Sequence, residues 1–140
     1  MIYAWKTDEG SVAYAENYSP VDVVAIEVTT LPAEPQEAWD IVGGVLVVDA
    51  SVTAAINVTA IKAKAGELIL ARIPSYKQTN YLARKSELQD ALALNGVLTI
   101  AEQGEWDFFL AEWTWVKEVR EMSNTAELVG TPVADVMWPL

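Results

Sequence analysis

One proline, Pro74, stands between Ser51 and Gly130, whereas residues 1–50 hold three, Pro20, Pro32 and Pro35. Inside a helix, proline removes a hydrogen bond and its ring clashes with the preceding turn. Residues 51–130 are therefore the part of the chain free to build long helices, and Pro74 divides them. Before it, Val58, Ile61, Ala65 and Leu68 recur at helical spacing. Ala60 and Ala63 form a second stripe, small enough to let another helix approach. The first stripe is not continued in phase after Pro74, so the spacing predicts two segments rather than one straight helix. Asp49 or Ser51 is placed to cap the first segment and Ser75 the second, with Tyr76, Gln78 and Asn80 in the turn that follows. The second segment lasts to about Leu94, where Asn95–Gly96 marks a stop. Such a joint is a corner in a helical bundle or, read functionally, a hinge or docking corner for another chain.

Residues 1–50 follow a different period. "MIYAWK" and "SVAYAENY" are short, aromatic and partly alternating, and "TDEG" between them is a turn signal. "VDVVAIEVTTL" is rich in β-branched residues. "LPAEPQ" is a two-proline linker. Gly43–Gly44 lies between two apolar runs and predicts a hairpin joining Trp39–Val42 to Val45–Val48, because two-residue hairpin turns need positive φ. Four or five short strands in a small antiparallel sheet are expected.

The last helical pattern runs from Ile100 to Leu128, with Gly130 and Pro132 beyond it. It carries two apolar stripes. Trp106, Phe109, Trp113, Val116 and Arg120 fall on one face, and Phe108, Trp115 and Met122 recur every seven residues on another. A surface helix buries one stripe. The longer stripe is expected inside. The shorter one becomes the candidate interface, with Trp115 as anchor and Tyr76 or Trp138 in support, because an exposed apolar patch marks an interaction site. The competing expectation is that neighbouring elements cover both faces.

Composition narrows the function classes. There is no Cys and no His, which excludes disulfides, thiolate nucleophiles, zinc sites built on those residues and any triad with a His base. Asp8–Glu9, Glu34–Glu37 and Glu102–Glu105–Asp107 are acidic clusters without calcium-loop spacing, so they read as solvated faces. Gly43–Gly44 lacks the Gly-Lys-Ser/Thr ending of a phosphate loop. No catalytic, metal-binding or cofactor-binding residue is expected.

The net charge of −11 argues against nucleic acid. No apolar run reaches the roughly 18 residues of a membrane span. "MIYAWKTDEG" lacks the pattern of a secretion signal, so a soluble chain starting at Met1 is expected. Charge is uneven. Residues 1–50 carry one Lys and nine acids, residues 51–100 six bases and three acids, and residues 101–140 two bases and eight acids. The basic middle is expected to complement acidic neighbours in its own fold or in a copy of itself.

Three stretches resemble small proteins encoded beside tail-fibre and baseplate genes of tailed bacteriophages. "ILARIPSYKQTNYLARKSEL" is similar to their Pro-containing corner, "EWTWVKEVREMSNTAEL" to their C-terminal helix, and "LPAEPQEAWDIVGGVLVV" to their N-terminal module. The resemblance implies a tail role and no catalytic residues. Tyr76 takes a place more often held by Trp. The alanine-rich linking helix of many fibre chaperones is shorter here, which favours a virion component over a chaperone.

The expectations are then an α+β chain: an antiparallel β module at 1–50, a helical hairpin or three-helix unit at 51–130 kinked at Pro74, and an apolar tail at 131–140. The expected function is a non-enzymatic protein-binding component of a phage tail, attached to tail fibre or baseplate. The alternatives are a fibre-assembly chaperone absent from the mature virion and an acidic inhibitor or DNA mimic. The expected location is the virion tail, or the host cytoplasm during assembly. Partners are a tail-fibre or baseplate protein or a second copy, with neither nucleic acid nor membrane. The partner-binding candidates are Tyr76, Phe108, Trp115, Met122 and Trp138.

Overall fold

The computed structural model describes residues 1–140 and has an α+β architecture: antiparallel strands first, three helices after. The chain divides into two compact units, Met1–Ile56 and Asn57–Leu140.

In the first unit, β1 (Ile2–Lys6) and β2 (Val12–Glu16) form a hairpin closed by Thr7, whose N–H donates to the Ser11 carbonyl at 2.8 Å. β3 (Ile26–Val28) pairs antiparallel with the other edge of β1, giving the order β2-β1-β3. β4 (Trp39–Val42) and β5 (Val45–Val48) form a separate two-stranded hairpin in the expected register. Gly43 and Gly44 make its turn with φ of 60° and 79°, backbone that other residues adopt only with strain. Alternation puts Ala4, Val12 and Trp39 into one core, with Ile26, Ile41 and Leu46 packed against it. The two-proline linker serves that core. Its Glu34 carbonyl accepts from Trp39 Nε1 at 2.8 Å, and Gln36 Nε2 donates to the Val12 carbonyl at 2.6 Å. The β-branched run before it makes less strand than its composition suggests. Only Ile26–Val28 pairs, opposite the first residues of β1, and Val21–Val24 stay irregular and exposed.

Asp49 caps α1 (Ala50–Arg72). Its Oδ1 accepts from the Ser51 hydroxyl at 2.6 Å and from the backbone N–H groups of Val52 at 3.2 Å and Ser51 at 2.9 Å, and these bonds hold its carboxyl below the usual carboxylate range. Pro74 separates α1 from α2 (Ser75–Asn95), and Ser75 does not cap α2. The N-cap position belongs to Pro74, which has no side chain to donate or accept, and the Gln78 amide bonds back to the Ile73 carbonyl at 2.7 Å. Left-handed Gly96 ends α2. A capping box of Thr99 and Glu102 starts α3 (Ile100–Val129).

α3 is the spine of the second unit. As numbers rise along α1 and α2 they fall along α3. Ile61 shares a cluster with Ala126, Arg72 pairs with Glu112, Tyr81 stacks on Phe109 and Arg84 pairs with Glu105. The two shorter helices therefore run antiparallel along one long helix, a hairpin with one kinked arm. The buried residues of α3 are Phe109, Glu112, Val116, Val119, Ser123 and Ala126, with Trp115 beside them. Their spacing alternates four and three, the seam of a helix pair. This seam lies between the two stripes expected from sequence, which form its edges. On α1 the packed face is Ile61 and Ala65, as expected, whereas Ala63 is exposed and Ala60 half-buried. The small-residue stripe thus does not carry the helix contact. The tail returns along the hairpin. Asn57 Nδ2 donates to the Thr131 carbonyl at 2.8 Å and its Oδ1 accepts from the Val133 N–H at 2.9 Å, while Val136 is buried with Ile61 and Ala126.

Candidate protein-binding surface

The helical unit sorts the five candidate residues into two groups. Tyr76, in the first turn of α2, is 64% exposed, and Phe108, on α3, is 49% exposed. Phe108 sits edge-on to Tyr81 with ring centroids 5.8 Å apart, and Tyr81 in turn lies 4.9 Å from Phe109. The seam thus anchors an aromatic cluster whose outer member faces solvent. Aromatic side chains with one packed side and one open side are the common anchors of protein interfaces.

Of the other three, Trp115 is buried and Met122 and Trp138 are half-buried against the core. Trp115 is 8% exposed, in a cluster with Ala65, Ile73, Val116 and Val119. The Arg72 guanidinium covers its ring at 4.4 Å from the centroid. Trp115 is therefore part of the core and not an interface anchor: α1 and the tail occupy the face that was expected to be open. Met122 packs against the Ile61–Ala126–Val136 cluster, and Trp138 packs against both that cluster and the one around Trp115. Trp115 Nε1 is buried and has no hydrogen-bond partner.

Charged groups link α1 and α2 to α3 alongside the apolar seam. Arg72 Nε and Nη2 grip the buried Glu112 carboxylate at 3.2 and 2.8 Å. Glu112 raises the Arg72 guanidinium pKa through these bonds. Arg84 holds Glu105 at 2.8 and 3.1 Å and Glu87 at 2.7 Å. Its guanidinium is pushed up by both, and the Glu105 carboxyl is held below the usual range by Arg84. Lys62 reaches Glu127 at 3.5 Å. The basic middle of the chain thus complements acidic α3 within one fold, as the charge distribution suggested.

Two surface features were not foreseen. Leu94, Val97 and Ile100 are exposed around the α2–α3 turn. At the Pro74 corner, a cleft is lined by Ile69, Ile73, Gln78, Tyr81, Trp113 and Arg120. It is a shallow notch partly open to solvent, with too little enclosed room for a small-molecule site. No helix is long and apolar enough to cross a membrane.

Comparison with protein-family models, with curated proteins and with solved structures finds no match.

Proposed function

We propose that this chain is a non-enzymatic protein-binding component of a bacteriophage tail, attached to a tail fibre or the baseplate. The observation that carries the binding role is the exposure of Tyr76 and Phe108 on helices whose seam is already filled. The Tyr76 ring and the outer half of the Phe108 ring are left open to solvent, and such rings supply large contact area to a partner. The tail assignment rests on the resemblance of the Pro74 corner, the "EWTWVKEVREMSNTAEL" helix and the "LPAEPQEAWDIVGGVLVV" segment to small phage proteins encoded beside fibre and baseplate genes. Under this reading the partner is a fibre or baseplate protein and the location is the tail. The same surface would serve a fibre-assembly chaperone that leaves before the particle is complete.

Mass spectrometry of purified virions, alongside affinity purification from infected cells, separates these outcomes. A fixed ratio of the chain to fibre or baseplate protein in the particle is the expected result. Absence from the particle together with capture of the fibre protein during infection would assign the chaperone role. Association with neither would overturn the tail reading.

A further inference from the structure

The turn between α2 and α3 contains the chain's one Asn-Gly pair, Asn95–Gly96. Asn95 is the last residue of α2, and Gly96 follows it in left-handed backbone with φ of 71°. Every residue from Leu92 to Val97 is exposed. Apart from its chain neighbours, no atom lies within 4 Å of where a Cβ would stand on Gly96. One hydrogen bond holds its amide, from the Gly96 N–H to the Leu92 carbonyl at 2.8 Å. A single bond in the last turn of an exposed helix end opens at little cost in free energy.

The other four asparagines are placed differently. Asn17 Oδ1 accepts from the Met1 ammonium at 3.1 Å, and both ends of the Asn57 amide are bonded to the tail. Asn80 and Asn124 lie inside α2 and α3, where the backbone on both sides is helical. None of the four precedes glycine. The residues that follow them, Tyr18, Val58, Tyr81 and Thr125, carry side chains that crowd their own backbone nitrogen.

We propose that Asn95–Gly96 is a site of spontaneous chemical modification, at which Asn95 becomes aspartate or isoaspartate in the folded chain. The Gly96 nitrogen, once hydroxide has taken its proton, attacks Cγ of Asn95. A C–N bond forms, the side-chain nitrogen leaves as ammonia with a proton returned by water, and a five-membered succinimide closes. Water then opens the ring. Breaking the bond between the ring nitrogen and Cγ leaves aspartate. Breaking the bond between that nitrogen and the backbone carbonyl carbon leaves isoaspartate, whose main chain runs through the former side chain. The net reaction consumes one water and releases one ammonia. Either product puts a carboxylate at the C-terminus of α2, where the helix dipole disfavours it, between exposed Leu94 and Val97. Isoaspartate also lengthens the turn by one carbon. The inference does not depend on the tail assignment.

Incubation of the full chain at neutral and at mildly alkaline pH, followed by tryptic peptide mapping, tests it. Trypsin cuts after Lys and Arg, so Asn95 is carried on the peptide from Ser86 to Lys117. That peptide is expected to gain about 1 Da with time, faster at the alkaline pH, and to split into two new species. An isoaspartyl methyltransferase should label one of them. Conversion at Asn95 should exceed that at any other asparagine at least about tenfold, and should run within about tenfold of its rate in the chain unfolded by guanidinium chloride, because the helix end opens readily. Asn95→Gln alters an exposed position and should abolish the gain in this peptide. An Asn95 that stays intact in the folded chain while it converts in the unfolded one would overturn the inference. So would equal conversion at the other asparagines, or a gain that persists in Asn95→Gln.

Discussion

In the β unit every buried side chain is apolar, whereas the helical unit buries Glu112 and Ser123 in its seam. The charge accounts differ as well. The β unit carries one Lys against nine acids and a single ion pair, Lys6–Asp40 at 2.6 Å, while the helical unit spans eight bases, eleven acids and several pairs joining α1 and α2 to α3. A sheet face buries alternate residues, and five short strands in two small sheets surround Ala4, Val12 and Trp39. Two helical arms meet along one line. Where that line crosses the Pro74 break, the bidentate Arg72–Glu112 ion pair lies beside the apolar packing of Ile73 and Trp115.

If that contrast holds, the largest effect comes from Trp115→Ala. It should cost the helical unit about 3–5 kcal/mol, the usual range for emptying a buried aromatic site, measured by chemical denaturation. Trp115→Phe should cost under about 1.5 kcal/mol, because it keeps most of the volume and removes an N–H that has no partner. A loss with Phe as large as with Ala would contradict the packing role of the ring. Next, Glu112→Ala should cost about 1–3 kcal/mol by leaving Arg72 without its partner. A neutral result would mean that packing alone holds the corner.

In the β unit, replacing Gly43 and Gly44 together by Val should cost on the order of 1–3 kcal/mol through strain at positive φ. Wild-type stability in that variant would contradict the turn. Asn57→Ala removes both hydrogen bonds to the tail and should cost about 1–2 kcal/mol. It should also speed amide exchange at Val133 relative to residues of the β unit.

The smallest effect is in acid. Glu102 and Glu105 in the helical unit, and Asp40 and Asp49 in the β unit, are held below the usual carboxylate range, chiefly by hydrogen bonds from Thr99, Arg84, Lys6 and Ser51 respectively. Depressed folded-state values mean that their contribution is complete above the unfolded value of about 4 and is lost as pH falls through the lower folded one. The melting temperature should therefore be flat near neutrality and fall below about pH 4. A melting temperature that rises on acidification would contradict these bonds.

The legibility of the sequence divides along the same line. The Gly43–Gly44 hairpin, its register, the Gly96 and Gly130 stops and the break at Pro74 each follow from local chemistry, and each is found; of the two caps offered for α1, Asp49 and Ser51, Asp49 is the one used. Val21–Val24 misled because β-branched composition says what a strand tolerates, not whether a partner lies opposite. The α3 seam was hidden by its own polar members. Glu112 reads as solvent-facing until Arg72 is placed beside it, and Ser123 until its hydroxyl is found on Glu127 at 2.9 Å. With those two discounted, the periodicity splits into the two flanking stripes, and Trp115 is assigned to the wrong side. The pairing of Arg72 with Glu112 is a contact between residues far apart in sequence, so no local pattern could supply it.

The central claim is that α3 has one buried seam with an exposed margin on each side. Because the chain has no cysteine, single cysteines can be placed at successive positions from Glu105 to Ala126 and their labelling rates by a thiol reagent compared. The account predicts protection at 109, 112, 115, 116, 119, 123 and 126, and fast labelling at 108, 110, 114 and 117. Slow labelling at 108 with fast labelling at 112 and 119 would contradict it.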